Sequence, residues 1–206
     1  ALALRHSHSS HFSDDGMPIR LPNNGRFFAV YAASNCVSYR DEAFLKIDLP
    51  GSKVVVGDGP QLNYLKEKYP DAYFLGAKFG NDLSRHFADA DVFVFPSKTD
   101  TFGLVIIEAM ATGTPVAAYP VTGPVDIIPD SKAGSINEDI RAACLACLEL
   151  DRKDAIAHAE KYSWDAVSKV FYNYLTPDYT PKHQKHMFLI SYILKLILFP
   201  YNLLKK

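Results

Sequence analysis

The feature that most constrains this chain is an alternation between residues 26 and 119. Short apolar runs are separated by stretches of helical periodicity. The runs are RFFAVYAA (26–33), KVVV (53–56), AYFL (72–75), DVFVFP (91–96) and PVAAY (115–119). Between them lie DEAFLKI (41–47), a segment from Pro60 to Tyr69, NDLSRHFADA (81–90) with Asn81 as a capping residue, and Gly103 to Thr112 stopped by Gly113. Runs that are apolar on both faces, with a helix between each pair, predict a parallel sheet covered by helices. Right-handed crossovers then give an α/β, doubly wound, Rossmann-like domain. After about residue 136 the pattern is helical, over 137–150, 152–161 and 163–175, the last opening at Ser163-Trp164. No internal repeat of 20–50 residues is present. Pro177 and Pro181 mark a break. The expected organisation is a poorly ordered leading segment (1–25), the sheet domain (26–176), and a linker with an apolar, amphipathic C-terminal helix (177–206).

Composition narrows the function. Hydrophobic residues make up 48% and charged residues 22% of the 206, as in a soluble globular protein, and the formal net charge is −1. With no basic excess to neutralise phosphates, nucleic acid is not an expected partner. Three cysteines, Cys36, Cys144 and Cys147, are too few and too uneven for a disulfide scaffold. No secretory signal opens the sequence, and a reducing, cytoplasmic location is expected. Cys144 and Cys147 form a C-x-x-C pair within an Ala/Leu-rich helical pattern, which reads as small core residues rather than redox chemistry. His6, His8 and His11 lack a carboxylate or Cys partner at ligand spacing, so no metal site is expected.

In a doubly wound sheet, ligands sit beyond the carboxyl ends of the strands. Three loops leave such ends with suitable chemistry: Gly57-Asp58-Gly59, Gly76-Ala77-Lys78, and the stretch from Pro96 to Gly103. The third runs straight into a helix. Its free amides at Gly103, Leu104 and Val105 favour an anion, and a diphosphate is the natural guest. Asp100 precedes that helix and Glu108 lies inside it. Carboxylates accept hydrogen bonds from hydroxyls, so the pair suits a polyhydroxylated ligand. From spacing alone, a capping Asp100 and a solvated Glu108 fit equally well.

The run VFVFPSKTDTFGLVIIEAMATGTPVAA (92–118) resembles the donor-site signature of the group 1 glycosyltransferases, a large family of retaining enzymes with the two-domain GT-B fold. That signature holds an acidic residue, seven intervening residues and a Glu. Phe-Gly-Leu stands between them, and Glu-Ala-Met-Ala-x-Gly-x-Pro-Val follows. Here the matching residues are Asp100, Phe102-Gly103-Leu104, Glu108-Ala109-Met110-Ala111, Gly113 and Pro115-Val116. VVVGDGP (54–60), YFLG (73–76) and ADADVFVFPS (88–97) match as well, and the similarity covers roughly residues 42–175.

The resemblance implies transfer of a hexose from a nucleotide-diphosphate sugar to an acceptor, with retention and without metal or other cofactor. Asp100 would contact donor-sugar hydroxyls, and Glu108 the ribose hydroxyls. The backbone of Phe102 to Val105, with Ser97 and Thr101 in the same loop, would meet sugar and phosphates. Gly76, Ala77, Lys78 and Phe79 would border the base, beside Gly57. PVTGPVDII (120–128) resembles members that handle simple hexoses or lipid-linked acceptors. For retention, donor phosphate assists deprotonation of the acceptor, so no side-chain base is assigned.

Two departures stand against this. The family usually places a Gly-Arg pair after the first strand and a Lys about five residues on, both stabilising the departing diphosphate. Those places fall near Ala33-Ser34 and Tyr39, neither of them cationic, with Arg40 adjacent. The second is size. A complete enzyme needs a preceding acceptor-binding domain, supplied by the same chain or by a separate subunit, so weak donor binding and poor transfer are expected of this chain alone. Two alternatives follow: a catalytically degenerate nucleotide-sugar-binding module, and a nucleotide-sugar epimerase of the same fold. Finally, MFLISYILKLILF (187–199) is too short to span a bilayer. Flanked by Lys182, Lys185, Lys205 and Lys206, it reads equally as a helix in a membrane interface, at the inner face of a membrane, or as a helix packed on the absent domain.

Overall fold

The computed structural model describes residues 27–31, 42–98, 103–129 and 132–174. Six strands form one sheet: β1 (Phe27–Tyr31), β2 (Ser52–Val56), β3 (Tyr73–Phe74), β4 (Val92–Phe95), β5 (Val116–Ala118) and β6 (Gly134–Ile136). Their order is β3-β2-β1-β4-β5-β6, and every pairing is parallel. The order reverses between β1 and β4, where Val30 pairs with Val94. A doubly wound sheet opens its crevice at this point.

The alternation of side chains shows why both faces are covered. In β4, Val92 and Val94 join one buried cluster while Phe93 and Phe95 join another. The first face carries α1 (Glu42–Leu45), α2 (Leu62–Lys68) and α6 (Ile140–Cys147), through Phe44, Leu65, Ile140 and Ala143. The second carries α3 (Gly80–Asp89), α4 (Leu104–Ala111), α5 (Pro124–Ile127) and α7 (Arg152–Ala159), through Phe87, Ile106, Met110, Ile127 and Ala155. Period-2 strands with two apolar faces between helix layers are the doubly wound, Rossmann-like α/β fold expected from the sequence.

The chain divides into two compact units, Ala1–Ser163 and Trp164–Lys206. In the second, α8 (Trp164–Tyr174) is amphipathic. Trp164, Val167, Val170, Phe171 and Tyr174 form one exposed apolar row. No described helix is long and apolar enough to cross a membrane. The leading segment 1–25 and the tail from 177 lie outside the described residues, as do Cys36, Ser34, Tyr39 and Arg40.

One local reading is corrected, and two elements were not anticipated. Asn81 does not cap α3. The helix begins at Gly80, and the carbonyl of Phe79 takes the amides of Asp82 (3.2 Å) and Leu83 (3.4 Å). Asn81 therefore lies one residue inside the first turn. The short helix α5 lies in a stretch to which the sequence reading assigns no element. Gly123, at φ 91°, turns the chain, and the Asp126 carboxylate accepts from its amide at 3.4 Å. Strand β6 is also unanticipated, because Gly-Ser-Ile carries almost no apolar signal. A Cβ on Gly134 would stand 2.3 Å from the Val116 carbonyl oxygen, so only glycine lets β6 lie this close to β5.

Cys144 and Cys147 are buried on α6. Desolvation pushes the Cys144 thiol up to about 12 and raises that of Cys147 further, so neither is a nucleophile at neutral pH. On the other side of the same helix layer, α1 and α2 are tied through Glu42. Its carboxylate accepts from Lys46 Nζ (2.7 Å) and Lys68 Nζ (2.9 Å), and Lys68 also donates to the Tyr64 hydroxyl at 2.7 Å. These hydrogen bonds hold the Glu42 carboxyl near 2, below its ordinary 4.5. A carboxylate depressed in the folded state stabilises above its unfolded pKa, and the effect is lost as pH falls through the folded value. The urea midpoint of the native chain should therefore exceed that of Glu42→Gln at pH 7. The gap should close between about pH 4.5 and pH 2. A gap independent of pH would contradict the tie.

Candidate functional site

The carboxyl ends of β2, β3 and β4 deliver the expected loops to one edge of the sheet. Gly57 follows β2, and its amide donates to the Gly76 carbonyl after β3 at 2.8 Å. That bond draws the first two loops together. Gly76 turns at φ 71°, and a Cβ there would meet nothing within 4 Å, so the loop faces open space. Ala77 and Lys78 are half-buried, and Phe79 is exposed at the head of α3. The Lys78 ammonium lies 3.8 Å from the Asp82 carboxylate, whose backbone carbonyl accepts from His86 Nδ1 at 2.7 Å. The lysine is thus anchored to α3 at the border of the site.

After β4, Pro96 is buried, Ser97 is half-buried and Lys98 is exposed, with its ammonium 5.0 Å from the centre of the Tyr119 ring. This cation–π contact joins the loop after β4 to the end of β5. Sequence reasoning did not single out either partner. Asp100, Thr101 and Phe102 lie outside the described residues.

Gly103 then opens α4. Its φ of 78° is left-handed, and a Cβ would fall 2.8 Å from Ile106 Cδ1 and 3.4 Å from Ile127 Cδ1. The Gly103 carbonyl accepts the first helical amide, that of Ile106, at 2.9 Å, and no side chain caps the helix start among the described residues. First-turn amides have no intrahelical acceptor, and the helix dipole adds partial positive charge there. Leu104 is 67% exposed although apolar, and Glu108, one turn on, is also exposed. Residues four apart share a helix face. Leu104 and Glu108 therefore form an outward ridge, while Ile106, Ala109 and Met110 fill the core. Val105 is half-buried beside them. The arrangement can receive an anion at the helix head and hydroxyls at the carboxylate of Glu108.

Comparison with known proteins gives the family and the fold. A family model described as glycosyl transferases group 1 matches residues 43–151. A GDP-mannose-dependent alpha-mannosyltransferase of Corynebacterium glutamicum is 43% identical over 81 residues, 39% of this chain and 20% of the relative. The sulfoquinovosyl transferase SQD2 of Arabidopsis thaliana is 35% identical over 137 residues, 58% of this chain and 27% of the relative. The chain thus spans about a quarter or less of the length of these relatives. Among solved structures, Anabaena HepE in complex with UDP-glucose superposes with a TM-score of 0.55 at 20% identity. The superposition covers 69% of this chain and 46% of that one, a likeness of fold.

The backbone at Gly103 gives a direct test. Ile106 can turn its terminal methyl away from an added Cβ, but the left-handed φ cannot be relieved. Gly103→Ala should therefore lower the unfolding free energy by about 1–2 kcal/mol. Urea denaturation checks this, and an unchanged midpoint would refute the assigned geometry.

Proposed function

The chain belongs to the glycosyl transferases group 1 family, and from that premise we propose that it is the donor-binding half of a retaining hexosyltransferase. One observation carries the reading: the head of α4, uncapped by any described side chain and turned by Gly103, faces the edge of the sheet where doubly wound domains bind ligands. A diphosphate sits on the amides of Leu104 and Val105. Glu108 takes the ribose hydroxyls, and Asp100 those of the donor sugar. Gly76 to Phe79, with Gly57, border the base, and Ser97, Thr101 and Phe102 complete the loop. HepE, similar in fold, has been solved with UDP-glucose, which supports a nucleotide-sugar donor. The donor phosphate assists deprotonation of the acceptor, and the reaction needs no metal or other cofactor. The acceptor, a lipid in this reading, is held by a further domain. That domain also brings cationic groups of the kind Ser34 and Tyr39 do not supply.

Calorimetric titration of the chain with UDP and GDP tests this. Binding is expected at millimolar or lower concentration. Glu108→Ala should weaken it about tenfold, the loss of one charge-assisted hydrogen-bonding group. No heat at millimolar ligand for either nucleotide would sink the donor site. A nucleotide bound equally well without Glu108 would remove its role. Donor binding without transfer, even when an acceptor domain is added, would favour the degenerate module suggested by Ser34 and Tyr39.

The same reading puts the enzyme at the cytoplasmic face of a membrane. The unit from Trp164 sets Lys169, Lys182, Lys185, Lys195, Lys205 and Lys206 against Asp165 and Asp178, and it contains the apolar run 187–199. Basic residues beside an apolar helix draw a protein to anionic lipid. In flotation with vesicles containing phosphatidylserine, the chain should rise with the lipid. A chain lacking residues 183–206 should not. Equal recovery of both would overturn the membrane contact.

A further inference from the structure

His158 is a buried polar side chain that the reading above leaves unused, and the geometry points to it as the positioning residue for the head of α4. It sits on α7, one helix removed from the site and 9% exposed. Its Nε2 lies 2.5 Å from the carbonyl oxygen of Ile127, and Lys161 Nζ lies 3.4 Å from its Nδ1. An ammonium can only donate, so Nδ1 is the acceptor. Nε2 is then the donor to the Ile127 carbonyl, which can only accept. The Tyr162 ring, 5.7 Å away and tilted by 59°, backs the imidazole.

The bond matters because α5 cannot hold itself. A helix of four residues lies far below the length that is stable alone, and its final carbonyls have no acceptable partner within it. His158 takes one of these carbonyls and fixes the end of α5. Ile127, 2% exposed, reaches from that end to the underside of Gly103, where its Cδ1 would lie 3.4 Å from an added Cβ. The interactions run from Lys161 through His158 to Ile127, whose side chain packs in one buried cluster with Ile106 of the first turn of α4, next to Gly103. Through them, a donor on α7 sets the residue whose left-handed turn aims the α4 amides. The consequence for nucleotide affinity rests on the donor-site reading, whereas the control over α4 does not.

Amide hydrogen exchange in the full chain, with calorimetry against UDP, tests both parts. In His158→Phe, which keeps the ring volume and loses the donor, the amides of residues 106–108 should exchange about tenfold faster, with those of β2 and α6 unchanged. UDP affinity should fall several-fold. His158→Gln, whose side-chain N–H reaches the Nε2 position, should restore both. Should the Phe variant fail to fold, His158→Asn, too short to reach Ile127, takes its place with the same expectation. Unchanged exchange at 106–108, or equal acceleration everywhere, would overturn the inference. Exchange as expected, with UDP binding neither the native chain nor any variant, would instead overturn the donor-site reading.

Discussion

The arrangement depends on how α4 is fixed. Seven of its eight residues are apolar, so its position is set by burial rather than by polar contacts at its surface. Ile106, Ala109 and Met110 lock into the second sheet face together with Phe93, Phe95, Val116 and Ala118. With the body of the helix immobilised, its first turn has to emerge beyond the end of β4. The left-handed Gly103 is what lets the chain enter there without a side chain in the way. No described side chain takes up the charge of that helix end.

Behind that helix the structure is densely tied. Thr114 donates its hydroxyl to the Phe87 carbonyl. Arg152 donates to the carbonyls of Ala88 and Ala90, the latter at 2.8 Å. These bonds join the end of α3, the start of β5 and the start of α7, and those of Arg152 satisfy carbonyls at the end of a helix. On the other side the character changes. Gly57 and Gly103 are buried where their loops begin or end, Gly76 turns toward open space, and Phe79, Leu104 and Glu108 are exposed. A rigid rear wall carrying an open, amide-rich edge is the division of labour expected of a binding domain.

How much of this was legible in the sequence follows from how each element is stabilised. The strands β2 and β4 announce themselves because burial on both faces demands unbroken apolar runs. Gly103 and Gly113 mark α4 because helix ends need special backbone. Strand β6 stayed hidden: its stability comes from the backbone ladder to β5 and from the missing Cβ of Gly134, which no hydrophobic pattern records. Helix α5 was hidden for a related reason, being held by Gly123, Asp126 and a histidine 31 residues away. Asn81 stands two residues past the true cap because the Phe79 carbonyl, rather than an Asn side chain, opens α3. Within the site, the stretch from Gly103 to Glu108 was readable as one helix, entered at Gly103 and carrying Glu108. The Lys98–Tyr119 contact was not, since it joins two loops that only the parallel sheet brings together.

The central claim is that a nucleoside diphosphate binds at the amides heading α4. Its most direct measurement is a 15N–1H correlation spectrum of the chain titrated with UDP. The account predicts the largest shift changes at Leu104, Val105 and Ile106, with a second group from Gly76 to Phe79 and at Gly57, all saturating with one dissociation constant. Saturable changes confined to other parts of the sheet, with the amides of 104–106 unmoved, would contradict it.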